Sequence, residues 1–242
     1  MNIKSIKVQL GIFLILFSLY ISFVAKDSPF LLSLGLSLIA AIAADSFIIL
    51  VKTRKLIITE GSIVSGLIIG YVISSGEQWW ITALASVLAI SSKHIIRFSG
   101  RHLFNPAGFG AIAAVFLFGA STEWKGAYLW YIIIPFGIYF ISKIRKIEIV
   151  AGYFIASFIL FGAQALIQDT QVLNILGYLN WFFIFIMLIE PMTTPGTYYG
   201  KIIFGAGTGA LIFILYLIGI KEAELVALLC MNLSAPLLNK RR

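Results

Sequence analysis

The chain has 242 residues, 60% of them apolar and only 12% charged, with a mean hydropathy of +1.01. That lies outside the range of soluble domains, where about a quarter of residues are charged. The formal charge of +8 is not gathered into a basic face interleaved with stacking aromatics, which excludes a nucleic-acid partner. One cysteine, Cys230, excludes an internal disulfide or a cysteine-held metal cluster.

A spanning helix takes about 20 residues, so the chain holds roughly ten spans with short loops and no sizeable soluble domain. The expected fold class is an all-α polytopic membrane protein, a single integral membrane domain over 1–242 with approximate halves 1–121 and 122–242. Apolar windows place spans near 8–25, 29–51, 62–75, 78–92, 105–120, 127–143, 147–168, 175–190, 200–219 and 222–238. Those at 62–75 and 78–92 are short enough to need shielding by protein. The first follows Lys4 and Lys7 without a small-residue cleavage site, so it is read as a span and not as a removed signal.

Ten spans with a cytoplasmic N-terminus put fifteen of the eighteen Lys and Arg residues on the inner side, leaving only Lys26, Lys125 and Lys221 outside. This is the asymmetry of the positive-inside rule, and one span more or fewer would destroy it. Trp79, Trp80, Trp124, Trp130 and Trp181 all fall at outer ends of spans in the same arrangement, as interfacial tryptophan prefers. The expected location is the cytoplasmic membrane, multi-pass, with both termini cytoplasmic and the lipid bilayer as the first partner.

The densest polar stretch, Ser91 to Gly110, carries three cations, both histidines and the helix start Asn105-Pro106. Two further inner loops pair a charge with helix-starting residues: Glu60-Gly-Ser-Ile-Val-Ser-Gly66, and Glu190-Pro-Met-Thr-Thr-Pro-Gly196. Such starts either cap their own helices or present amides to an anion. Asp45 is the one acid well inside a predicted span, and either serves proton or cation movement or pairs with Lys52, Arg54 or Lys55. His94 and His102 are separated by Arg97 and Arg101, a setting that disfavours a metal ion and leaves phosphate or lipid head-group contact, or topology retention, as the readings. Gly205-Ala-Gly-Thr-Gly209 sits inside a span with no strand before it and reads as close helix packing. No Ser-His-Asp set, cysteine cluster or phosphate loop is present, so no stand-alone catalytic site is expected.

Three segments in order carry a resemblance. Ser62-Ile-Val-Ser-Gly-Leu67 opens the third span. Lys93-His94 is followed by Phe104-Asn-Pro-Ala107. Glu190-Pro-Met-Thr-Thr-Pro195 leads through Gly200-Lys-Ile-Ile-Phe-Gly205 to Met231-Asn-Leu-Ser-Ala-Pro236. Together they resemble the RnfD/NqrB family of membrane subunits, found in Rnf and Na+-translocating quinone reductase complexes, over residues 60–238. The resemblance implies two inverted five-helix halves, distantly similar to urea and ammonium channels, and partner subunits of a redox membrane complex. It also implies flavin. Relatives esterify FMN to threonine in a Ser-Gly-Ala-Thr motif after the fifth span, where this chain has Phe118-Gly-Ala-Ser-Thr122. The leading serine is replaced and Ser121 stands where threonine is expected, so covalent attachment would fall to Ser121 or Thr122. The chain is a short member without a clear covalent motif, and FMN or riboflavin is expected to be held non-covalently if at all.

The function expected is therefore a membrane subunit that couples redox chemistry to cation transport. Ser62, Ser65, Lys93, Asn105, Thr193 and Thr194 are the candidate cofactor-binding residues, Asp45 the candidate on an ion pathway, with no metal ligands and no catalytic group of its own. The alternatives are a small-solute channel of the urea and ammonium type and a scaffold subunit.

Overall fold

A polar helix interior and an apolar exterior are what a bilayer imposes, and the computed structural model has both; it describes residues 5–169, 171 and 175–239. Lys4, Lys240, Arg241 and Arg242, used in the charge count, lie outside the described residues. Leu16, Phe23, Ile39, Phe47, Phe116 and Ile167 point outward, while Ser37, Asp45, Ser62, Ser86, Thr208 and Asn232 are buried. Hydrocarbon solvates the outer side chains, and polar groups turn inward to find partners.

Among the described residues the elements are α1 (Ile6–Ala25), α2 (Ser28–Thr53), α3 (Glu60–Val72), α4 (Trp79–Ile95), strands β1 (Arg97–Phe98) and β2 (Arg101–His102), α5 (Pro106–Phe118), α6 (Trp130–Ile144), α7 (Ile147–Ile167), α8 (Ile175–Tyr178), a π-helical turn (Phe183–Met187), α9 (Tyr198–Leu217) and α10 (Ala223–Leu238). Among the described residues the protein is all-α apart from the short hairpin, whose turn uses Ser99 and Gly100 at positive φ, and one isolated bridge. Four helices, α1, α2, α7 and α9, are long and apolar enough to cross a membrane. The 13 residues of α3 rise only about 20 Å. Most of α3 is buried, so protein shields it from lipid.

The chain divides into two compact units, Met1–Arg97 with Pro106–Gly126, and Phe98–Asn105 with Ala127–Arg242. In the first, α2 packs on α3 and α4, α4 on α5, and α1 on α3. Tyr71 of α3 anchors this core: its ring stacks on Phe17 and meets Phe30 edge-on, and its hydroxyl donates to the Leu14 carbonyl at 2.6 Å. The segment after α5 is tied back to the end of α3, with Glu123 N–H donating to Val72 O at 2.9 Å and Lys125 N–H to Tyr71 O at 2.8 Å.

In the second unit α7 packs along α9, α9 on α10, and α6 on the π turn, so second meets fourth and fourth meets fifth as in the first unit. The eighth predicted span, 175–190, is not one continuous helix. Asn180 Oδ1 accepts the Phe183 N–H at 3.0 Å and starts a new helical segment, and Leu188 N–H reaches Phe183 O at 2.9 Å across five residues. A local side-chain acceptor thus competes with the helical ladder. Every residue of the π turn is buried.

The glycines of α9 are there for contact. A Cβ on Gly205 would sit 1.9 Å from the Ile149 carbonyl of α7, whereas one on Gly35 of α2 would meet nothing within 4 Å. Gly205→Ala is expected to cost about 2 kcal/mol and lower the melting temperature in detergent by about 4–8 °C. Gly35→Ala, the matched control, should leave it within about 2 °C, since substitutions away from such contacts stay near ±0.5 kcal/mol. Differential scanning fluorimetry of the two purified variants checks this.

Candidate functional site

An ionised carboxylate inside an apolar bundle has to be surrounded by donors. Asp45 of α2 is fully buried and meets this condition within the first unit. Its Oδ1 accepts from Lys93 Nζ at 3.1 Å and lies 2.7 Å from His94 Nε2; its Oδ2 accepts from Thr59 Oγ1 at 2.5 Å. An ionised carboxylate only accepts, so His94 carries its proton on Nε2. The partners are therefore the last turn of α4 and the start of α3, and not Lys52, Arg54 or Lys55, the pairing the sequence left open.

Thr59 is the hinge of this cluster. It caps α3 by accepting the Ser62 N–H at 3.2 Å, takes a further contact from Lys93 Nζ at 3.4 Å, and its carbonyl accepts from Ser62 Oγ at 2.8 Å. Gly61 leaves room for the lysine, because a Cβ there would sit 3.2 Å from Nζ. Ser65 is buried one turn further along α3. Thr59 did not stand out in the sequence, although a hydroxyl one residue ahead of Glu60 is an N-cap signal.

The second unit builds its own polar centre from Asn105, Thr193 and Thr194. Asn105 N–H donates to Asn232 Oδ1 at 2.8 Å, Asn105 Nδ2 to Met187 O at 3.2 Å, and Asn232 Nδ2 to Thr193 O at 3.2 Å. Glu190 gathers the remaining groups: His102 Nε2 at 3.1 Å, Thr193 Oγ1 at 3.2 Å, and Thr194 Oγ1 on its carbonyl at 2.7 Å. Of these residues His102, Thr193, Thr194 and Asn232 line an open cavity of about 470 Å³ that also takes in Phe98, Arg101, Met192 and Asn239. Asn232, in the closing Met231-Asn-Leu segment, had no individual role assigned from sequence; it is the bond between Asn105 and the 190–196 turn.

Behind that turn lies Lys146, 6% exposed, whose Nζ donates to the Pro195 carbonyl. Burial first, then the charges of Lys201 and Arg101, push its pKa down to about 8, with Glu148 acting the other way.

Ser121 and Thr122 belong to the far end of α3. Ser121 N–H and Oγ both donate to Glu77 Oε1, at 2.8 and 2.6 Å, and Thr122 bridges to Ile73. Lys125 pairs with both Asp27 and Glu123 beside them. The candidate residues thus form three sets: Asp45 with Ser62 and Lys93; Asn105 with Thr193 and Thr194; Ser121 with Thr122. Among the described residues no group of three or more His, Cys, Asp or Glu is placed to hold a metal ion.

Two expectations follow. Asp45→Asn leaves the Lys93 charge without its carboxylate and should cost about 3 kcal/mol, most of it recovered in Asp45→Asn/Lys93→Met, as read from thermal unfolding of the three proteins. For Lys146 the folded pKa of about 8 lies below the ordinary 10.5, so the native state binds its proton less well than the unfolded chain does. Native stability therefore gains as pH rises between the two values, and the melting temperature of the wild type relative to Lys146→Met should climb between about pH 8 and 10.5.

No curated protein matches the chain. The NQR2, RnfD, RnfE family model matches residues 1–130 and 126–242, which together cover it from end to end. The polar interior, the apolar exterior and this match agree: the chain is a multi-pass membrane protein, a membrane subunit of the Rnf/Nqr type, and it belongs to the NQR2, RnfD, RnfE family.

Proposed function

We propose that this subunit, together with partner subunits, couples redox chemistry to cation movement in the cytoplasmic membrane, with its termini and its Lys- and Arg-rich loops on the cytoplasmic side. The observation that carries the redox half is the cavity of about 470 Å³ walled by Thr193, Thr194, His102 and Asn232. Its size is in the range of cofactor sites, and its lining mixes neutral amides and hydroxyls with an aromatic face, Phe98, and a thioether, Met192. That donor and acceptor set fits the polar edge and flat face of a flavin.

A flavin held there would supply one- and two-electron transfer. The chain's own residues would bind and orient it. The Asn105–Asn232–Thr193 bonds fix the cavity wall, the His102–Glu190 pair holds a proton beside it, and Arg101 supplies positive charge at the rim. Asn105, Thr193 and Thr194 carry this role; Ser62, Ser65 and Lys93 belong to the cation half. Non-covalent binding is favoured over attachment at Ser121 because Ser121 Oγ is held at 2.6 Å by the Glu77 carboxylate, which repels a phosphate diester.

For the cation half, Asp45 is the buried anion that a moving cation or proton would engage. Lys93 already pairs with it and His94 lies at hydrogen-bond distance, so a cation has to displace one of them, which makes Asp45 an exchange point and not an open binding site.

The test is the flavin content of the purified protein before and after denaturation. Flavin absorbance near the visible flavin bands that partitions into the soluble fraction on denaturation supports the reading, and Thr193→Val with Asn232→Leu should remove at least half of it. A preparation with no flavin, no co-purifying redox subunits and solute flux in liposomes without an electron donor would overturn it.

A further inference from the structure

The second unit contains another cavity, of about 850 Å³, lined by Tyr128, Trp130, Trp181, Leu179, Asn180 and Glu224 among others. Glu224 lies in the first turn of α10, eight residues before Asn232, which is about 12 Å along the helix, so this cavity is separate from the one at Thr193. Its polar groups are few. Asn180 Oδ1 is taken by the Phe183 N–H. Glu224 makes no ion pair among the described residues, Glu222 adds a second negative charge nearby, and the exposed Lys221 does not line the cavity.

An unpaired carboxylate beside two indoles and a phenol selects by charge and by solvation. An inorganic anion is repelled. A bare divalent cation would need several oxygen ligands, and among the described residues no group of three or more such side chains is placed to hold a metal. A neutral acyl chain would desolvate the carboxylate without compensation. A cation with an apolar shell satisfies both parts, because aromatic faces attract it through their quadrupoles while the carboxylate supplies the counter-charge.

We propose that this cavity binds an organic ammonium ion, with Glu224 as counter-ion and Trp130, Trp181 and Tyr128 as the faces that close around its substituents. The cation is either a free alkylamine or the amine head group of a phospholipid; the two share the chemistry and differ in what they bring with them.

Choline is the probe, titrated against the intrinsic tryptophan fluorescence of the full chain in detergent. Its neutral isostere 3,3-dimethyl-1-butanol is the reference, since it has the same shape without the charge. Choline should bind saturably and at least about tenfold more tightly than the isostere, and Glu224→Gln should abolish that preference while leaving the isostere unchanged. Trp130→Leu, at a half-exposed position where misfolding is not expected, should weaken choline about three- to tenfold. Melting temperatures establish that both variants are folded. Equal affinity for choline and the isostere, a preference that survives Glu224→Gln, or no saturable binding of choline overturns the proposal. Repeating the titration in phosphatidylethanolamine and phosphatidylglycerol nanodiscs at high salt, each corrected for the surface accumulation of choline measured with protein-free nanodiscs, identifies the source: weaker choline binding in the former identifies the lipid head group, and equal binding the free amine.

Discussion

The constraint from which the first unit follows is the cost of an ionised carboxylate in a medium without water. Asp45 is fully buried, and removing such a group from water costs several kcal/mol unless donors replace the lost solvent. Three donors do so, and they come from two other elements: Thr59 at the start of α3, and Lys93 and His94 at the end of α4. Satisfying one side chain therefore fixes where two helices begin and end. It also explains why α3 can be short. With Thr59 tied to α2 at one end and its last residues bonded to the segment after α5 at the other, α3 needs no hydrophobic match to the bilayer.

The second unit meets the same kind of constraint with different residues. Glu190 stands to His102 and Thr193 as Asp45 stands to His94 and Thr59: a carboxylate, an imidazole nitrogen and a threonine hydroxyl within hydrogen-bond reach. The difference lies in solvation. Asp45 has no exposure and an additional ammonium, while the Glu190 side chain is 22% exposed and bonds His102 and Thr193, which line the cavity. A sealed carboxylate with a full donor set is suited to holding its charge until a partner is displaced. One that is partly exposed and bonded to a single imidazole is solvated in part by water and needs fewer donors from the protein. The two units share a helix-pairing order and a carboxylate-centred polar core, and they divide in chemistry where access to water differs.

Much of this was legible in the sequence because hydrophobic runs and charge asymmetry are one-dimensional signals. Segment ends were recovered to within a few residues for most spans, and Gly205 was read as a packing glycine. Its added Cβ would collide with the Ile149 carbonyl, which bears that reading out. The misses are where a long-range or local polar bond outweighed hydropathy. Residues 175–190 score as one span, yet Asn180 restarts the helix at Phe183 through a bond that no hydropathy window registers. Asp45 carries a clear signal of needing a partner, and Lys52, Arg54 and Lys55, all within ten residues, are candidates by sequence distance alone. The actual partners are 48 and 49 residues away, brought there by the packing of α2 on α4. Asn232 was hidden for the same reason: its bond to Asn105 spans 127 residues.

The segment after α5 shows how one replacement propagates through local electrostatics. Relatives resembling this chain present a threonine there to a flavin phosphate; here Ser121 presents its amide and hydroxyl to the Glu77 carboxylate, at 2.8 and 2.6 Å. A phosphate diester on Ser121 would remove the hydroxyl bond and place its charge against Glu77 and near Glu123. One lysine, Lys125, offsets Glu123, and it is already shared with Asp27. At hydrogen-bond distance, two like unit charges at a protein surface cost on the order of several kcal/mol before screening. A serine can be esterified as readily as a threonine, so the change of nucleophile is the smaller obstacle. The larger one is the Glu77 carboxylate, which holds the Ser121 amide and hydroxyl and would face the charge of any phosphate attached there.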